Sequence, residues 1–129
     1  MIFVDTNVLL YAVGREHPLR SEAQGFFLSA LETGEVLATS TEVLQELLHA
    51  YLPLGRTATL DAALTLAKGR MAQIWSLDPD DVLLARNLME RYPALGARDL
   101  VHLASCIRRE VKRIKTFDRT LASAFRAES

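Results

Sequence analysis

Cysteine is nearly missing. Cys106 is the only one in 129 residues, so no disulfide can close within the chain, and a reducing compartment suits it. Aromatic residues are scarce at 7%, which argues against an extended base-stacking surface. No apolar run approaches the length of a membrane span. Met1 leads straight into a strand-like pattern, with no basic stretch and no small-residue cleavage site. The expectation is a soluble cytoplasmic protein with no membrane segment. Excess positive charge is missing too: formal net charge is −1, so contact with nucleic acid needs a local basic patch.

Apolar residues are plentiful. At 50% hydrophobic and 24% charged, the chain can build a core and is not a disordered composition. Its length fits one domain, residues 1–129. Ile2-Phe3-Val4 is an unbroken run of strand formers, suited to a strand covered on both faces. Further strands are expected over 36–39, 73–77 and 113–116. Between them, helical spacing and stop signals predict helices over 7–13, 19–31, 41–51, 57–71, from Asp78 to 91, and over 98–109, with a short last helix over 120–125. The predicted inward faces include Phe26, Phe27 and Leu31 in the second helix, and Val43, Leu44, Leu47, Leu48 and Tyr51 in the third. Strands alternating with helices imply an α/β fold, a three-layer α/β/α sandwich around a parallel sheet of four to five short strands.

Acidic residues recur at the ends of these elements. Asp5 follows the first strand and Asp118 the fourth, so parallel strands put both at one sheet edge, where open α/β sheets bind ligands. Asp99 falls in the first turn of the helix that feeds the fourth strand. Glu46 lies one turn into the helix after the second, with Glu42 a turn earlier on the same face. Each has a simpler reading: Asp5, Asp99 and Asp118 as helix caps or first-turn acids, Glu46 as a solvent-facing residue. Asp78, Asp80 and Asp81 read as helix-start residues only. Together, however, converging carboxylates repel: two unit charges ~4 Å apart cost about 4 kcal/mol at an effective dielectric of about 20. Mg²⁺ or Mn²⁺, hard cations that take oxygen ligands, would neutralise such a cluster and activate water for attack at phosphorus.

Asp5-Thr6-Asn7-Val8, Glu46 within Ser40–Leu47, Asp99 in Arg98-Asp99-Leu100-Val101-His102-Leu103-Ala104, and Thr116-Phe117-Asp118 resemble, in that order, the motifs of the PIN domain, and most closely its small VapC-like toxins. The resemblance implies a Mg²⁺- or Mn²⁺-dependent endoribonuclease that leaves a 5′-phosphate and a 3′-hydroxyl. It also implies a toxin–antitoxin pair in which an antitoxin covers the cleft, and a homodimer. By position, Asp5, Glu46, Asp99 and Asp118 would form the catalytic acids. Asp5, Asp99 and Asp118 would ligate metal, and Glu46 would ligate or orient the water. Asn7 would orient Asp5, and Thr116 would hold ligands or phosphate. Two features depart from the family: little sequence follows Asp118 to form a closing strand, and Arg98 directly precedes Asp99, where it would pair with an acid or hold a phosphate.

Arg108, Arg109, Lys112, Arg113, Lys115 and Arg119 crowd the fourth strand. They read equally as a solvated, dipole-favoured helix end and as a cationic rim for RNA phosphates, with Lys115 and Arg119 nearest the acids in sequence. Glu46 and His49 have di-iron spacing, but no second Glu-x-x-His pair exists. His102, one turn after Asp99, faces the core or the cleft, with a structural role favoured, and Cys106 reads as a small buried apolar residue. Two rival functions remain. One is an aspartate-dependent phosphatase, which would want an acid where Asn7 stands. The other is an inactive PIN-like domain that only binds RNA or protein.

Overall fold

The computed structural model describes all residues from Met1 to Ser129. Strand β1 (Ile2–Val4) is buried along its whole length and lies inside the sheet. It pairs in parallel with β2 (Leu37–Ser40) on one side and β4 (Arg113–Lys115) on the other, and β3 (Gln73–Trp75) pairs with β2. The order is β3-β2-β1-β4. Ile2 stands opposite both Leu37 and Arg113, and Val4 opposite Lys115. The sheet therefore has four strands.

Right-handed crossovers dictate the layers. The chain steps from β1 to β2 through α1 (Thr6–Val13) and α2 (Pro18–Thr33). It steps on to β3 in the same direction through α3 (Thr41–Tyr51) and α4 (Thr57–Arg70). These four helices share one face, and α1 packs on α2, α3 and α4. The next crossover, α5 (Pro79–Leu88) and α6 (Ala97–Arg108), runs back across the sheet to β4 and covers the other face. The last helix, α7 (Arg119–Glu128), joins α6 there. The direction reverses between β1 and β4, so the crevice beyond their carboxyl ends is the topological switch point.

The elements fall where the spacing predicts, with differences at their ends. Leu31 and Leu48 point outward, because α2 buries Ala23, Phe27 and Ala30 and α3 buries Val43, Leu47 and Tyr51; the exposed leucines lie about 75° and about 100° around their helices from the centres of those stripes. Helix α5 stops at Leu88 instead of 91. Pro93 disfavours helical backbone at Tyr92, and the Arg91 and Tyr92 amides both turn back to the Leu88 carbonyl. Helix α7 runs past the predicted 125 to Glu128, whose carboxylate is held by Arg91 at 2.6 Å and by the Tyr92 hydroxyl. Cys106 is buried, and burial pushes its thiol pKa well up.

Asp81 does more than start α5. It completes a capping box with Asp78, and its buried carboxylate accepts from Arg108 and Arg109, each at 2.8 Å. Burial pushes this carboxyl up, but the Arg109, Asp78-backbone and Arg108 hydrogen bonds outweigh it and hold the pKa low. Arg109 also lies over the Trp75 ring, 5.1 Å from its centre. This network ties α5 and α6 to β3. Replacing Asp81 with Asn should destabilise the protein by about 2 kcal/mol in urea unfolding, less than the ~3–5 kcal/mol of a fully buried pair because both guanidiniums stay partly hydrated.

Candidate active site

The predicted acids converge. Asp5, Glu46, Asp99 and Asp118 line one hollow of about 260 Å³ together with Asn7, His49 and Arg98. Each acid comes from a different element: Asp5 from the end of β1, Glu46 from α3, Asp99 from the first turn of α6, Asp118 from the start of α7. No three acidic or histidine side chains are close enough to form a ready coordination sphere.

Asp5 is the most firmly held. Its Oδ1 accepts from the Thr6 amide at 2.8 Å and its Oδ2 from the Thr116 hydroxyl at 2.7 Å. Asn7 does not bond to Asp5. Its Nδ2 donates to Thr116 Oγ1 at 3.2 Å, its Oδ1 accepts from the Phe117 amide, and the Asp118 amide donates to the same threonine oxygen. Thr116 is thus the joint between β1 and β4, and Asn7 reaches Asp5 through it. Asp118 also caps α7, accepting from the amides of Thr120 and Leu121. The capping reading and the pocket reading hold together.

Two residues beside the acids are not assigned to the site by the sequence. Thr6 is buried and donates to Glu46 Oε2 at 3.0 Å, tying α1 to α3; only its place in Asp-Thr-Asn hints at this. His102, fully buried, puts Nε2 2.5 Å from Glu46 Oε1 and 3.8 Å from Asp5 Oδ1. The closer approach sets His102 Nε2 against Glu46 and leaves Nδ1 as the ring nitrogen without a partner. The one-turn spacing from Asp99 is the only signal in the sequence for His102.

The basic residues scatter. Arg98 lines the hollow with its Nε 3.9 Å from Glu42. Arg119 borders a separate depression beside Tyr92 and Leu95. Lys115 turns to the α2 side, 3.6 Å from Glu22 and over the rings of Phe26 and Phe117. Arg108 and Arg109 are engaged by Asp81, and Arg113 by Glu35. The crowded basic segment is therefore no continuous rim, because its members face different neighbours.

An acid-lined crevice at the switch point of a four-stranded parallel sheet is a recognised architecture, and the PIN-domain model matches residues 2–125. The chain belongs to the PIN-domain family. Its similarity runs in particular to the VapC ribonucleases: it is 60% identical over 127 residues to Ribonuclease VapC23 of Mycobacterium tuberculosis, covering 98% of this chain and all of the relative. Two crystal structures share the fold at low identity. VapC20 of M. tuberculosis, described as a sarcin-ricin loop cleaving toxin, is 18% identical with a TM-score of 0.82, over 96% of this chain and 95% of the other. VapBC2 of Rickettsia felis, bound to a DNA fragment from its promoter, is 19% identical with a TM-score of 0.67, over 92% and 88%.

The hollow perturbs its own titration. Burial, then the charge of Asp5, raises the Asp99 pKa to about 6. Burial raises Asp5 as well, against the opposing influence of His102. For His102, burial pushes downward, but contact with Glu46 and the charges of Glu46, Asp5 and Asp99 prevail and raise it. All three raised groups bind protons more tightly in the folded protein, so each stabilises it at low pH and ceases to as pH rises through its folded value. For Asp99 that loss spans about 3.8 to 6; His102 continues it above 6.5. Melting in chelator should accordingly give a midpoint that falls from pH 4 to 7, and Asp99→Asn should flatten the fall.

Proposed function

We propose that the chain is a Mg²⁺- or Mn²⁺-dependent endoribonuclease and the toxin of a toxin–antitoxin pair. The carrying observation is the meeting of four carboxylates from four elements in one hollow. Their donor set suits such an ion: every candidate ligand is a hard oxygen. Asp5, Asp99 and Asp118 would hold the ion. When bound, it supplies positive charge at the phosphate and acidifies water.

The protein's own residues do the rest. Thr116 and the Thr6 amide fix the Asp5 carboxylate. Thr6 holds one Glu46 oxygen and His102 lies against the other, which fixes the carboxylate at the wall of the hollow to orient the attacking water. Arg98, only loosely engaged by Glu42, stands at the rim to hold a non-bridging phosphate oxygen; Arg119 lies further along. Water attacks phosphorus, the P–O3′ bond breaks, and the products are a 5′-phosphate and a 3′-hydroxyl. The relationship to Ribonuclease VapC23 supports RNA as the substrate. An antitoxin partner fits the VapC kinship, and we extend the reading to a homodimer in the cytoplasm; no helix is long and apolar enough to cross a membrane. The phosphatase alternative loses ground, because Asn7 spends its amide on Thr116 and Phe117 and offers no acid.

Cleavage of total cellular RNA with Mn²⁺ tests the reading. Asp5→Asn and Asp99→Asn should each lower the rate about 10²–10⁴-fold while the circular dichroism spectrum stays native, and EDTA should abolish activity. Undiminished cleavage in excess chelator would sink it.

A further inference from the structure

A second groove adjoins the acidic hollow and shares Asn7 and Leu10 with it. Its volume is about 450 Å³, within the range of small-molecule sites. Two guanidiniums line it: Arg15, from the loop between α1 and α2, and Arg56, from the residue before α4. Neither pairs with a carboxylate, whereas Arg98, Arg108, Arg109 and Arg113 all do. An arginine left with free donors in a concave wall suits phosphate recognition. Glu16 is the one acid there, so the groove is net positive beside a hollow that is strongly negative.

The same wall carries an aromatic pair. The rings of Tyr11 and His17 lie 4.6 Å apart at 35°. His17 is fixed because its Nδ1 accepts from the Leu19 amide at 3.1 Å, capping α2. Tyr11 is fixed from the other side, edge-on to Phe117 at 5.6 Å. Between them the backbone turns tightly at Gly14, where a Cβ would meet the Leu10 carbonyl oxygen at 2.6 Å. Single-stranded RNA is held by this combination, arginine for the backbone and aromatic faces for unstacked bases.

We propose that this groove is a nucleotide subsite. It seats the phosphate and base next to the scissile bond, with Arg15 and Arg56 on the phosphate and the Tyr11–His17 pair against the base. The assignment rests on the ribonuclease reading and adds to it a physical need. Four carboxylates repel a polyanion, and a contiguous cationic groove offsets that repulsion where the strand enters.

The test uses full-length protein carrying Asp99→Asn, so that bound RNA is not cut, and a labelled single-stranded RNA of mixed sequence. Adding Arg15→Ala or Arg56→Ala should weaken binding several-fold. The pair together should flatten the slope of log K against log salt by about 0.7 for each phosphate that is no longer neutralised. Tyr11→Leu should weaken binding about tenfold with little change in that slope. In the otherwise unmodified enzyme, Arg15→Ala should raise KM more than it lowers kcat. Unchanged affinity and slope in the double arginine variant, while the unmodified enzyme still cuts RNA, overturns the subsite and leaves the ribonuclease reading standing. If the same variant also ceases to co-purify with an antitoxin encoded beside it, the groove belongs to a protein. RNA bound through the groove but never cut by the Mn²⁺-loaded enzyme supports the subsite and sinks the ribonuclease reading.

Discussion

Mutual repulsion among four carboxylates is the constraint that the rest of the molecule answers. Left free, Asp5, Glu46, Asp99 and Asp118 would turn to solvent in different directions. Asp5 and Glu46 are restrained by hydrogen bonds from residues of neighbouring elements, and Asp118 by the amides of the helix it caps. The Thr116 hydroxyl joins the end of β4 to Asp5 at the end of β1, Asn7 clamps that hydroxyl from α1, and Thr6 draws Glu46 in from α3. The sheet order makes this possible, since β1 and β4 are neighbours only because the chain reverses direction across the sheet. Parallel pairing then brings two strand ends, and the acids that follow them, to the same edge.

The protein treats buried charge in two ways. Asp81 is fully matched: two arginines and a backbone amide satisfy it, and the result is structural glue between α5, α6 and β3. The acids of the hollow are only partly matched. His102 stands behind Asp5 and Glu46, and the hollow opens in front of them. The two regions touch through a stack of side chains. His102 packs on Phe3, Phe3 on Trp75, and Trp75 carries Arg109 of the Asp81 network. The histidine's position under the acids is therefore set by packing that begins at the β3 edge of the sheet.

The strand and helix pattern, the parallel sheet and the four acids were legible in the sequence, because each follows from local rules. Ile2-Phe3-Val4 suits an inner strand, and an acid after such a strand lies at its carboxyl edge. The limits of local rules show in Leu31 and Leu48, which share helical spacing with the core but face outward, since periodicity does not say how wide a stripe its neighbours will cover. They show again in the basic segment around β4. Six cations close in sequence look like a rim, yet Arg108, Arg109 and Arg113 are drawn to Asp81 and Glu35, partners 27 and 78 residues away for Arg108 and Arg113. In the other direction, Arg15 and Arg56 look like ordinary loop residues until the fold sets them in one groove.

By itself the sequence determined which residues could serve: the strand ends, the acids placed after them, and the lone cysteine with no partner. Only the tertiary structure decided which of them would meet and which charges would be spent on one another. The reason is physical. Secondary structure follows from contacts between residues three or four apart, or alternating along a strand. The balance of charge in a pocket depends on side chains from four or five separate elements, whose approach is set by sheet order and packing and leaves no mark on any one stretch of chain.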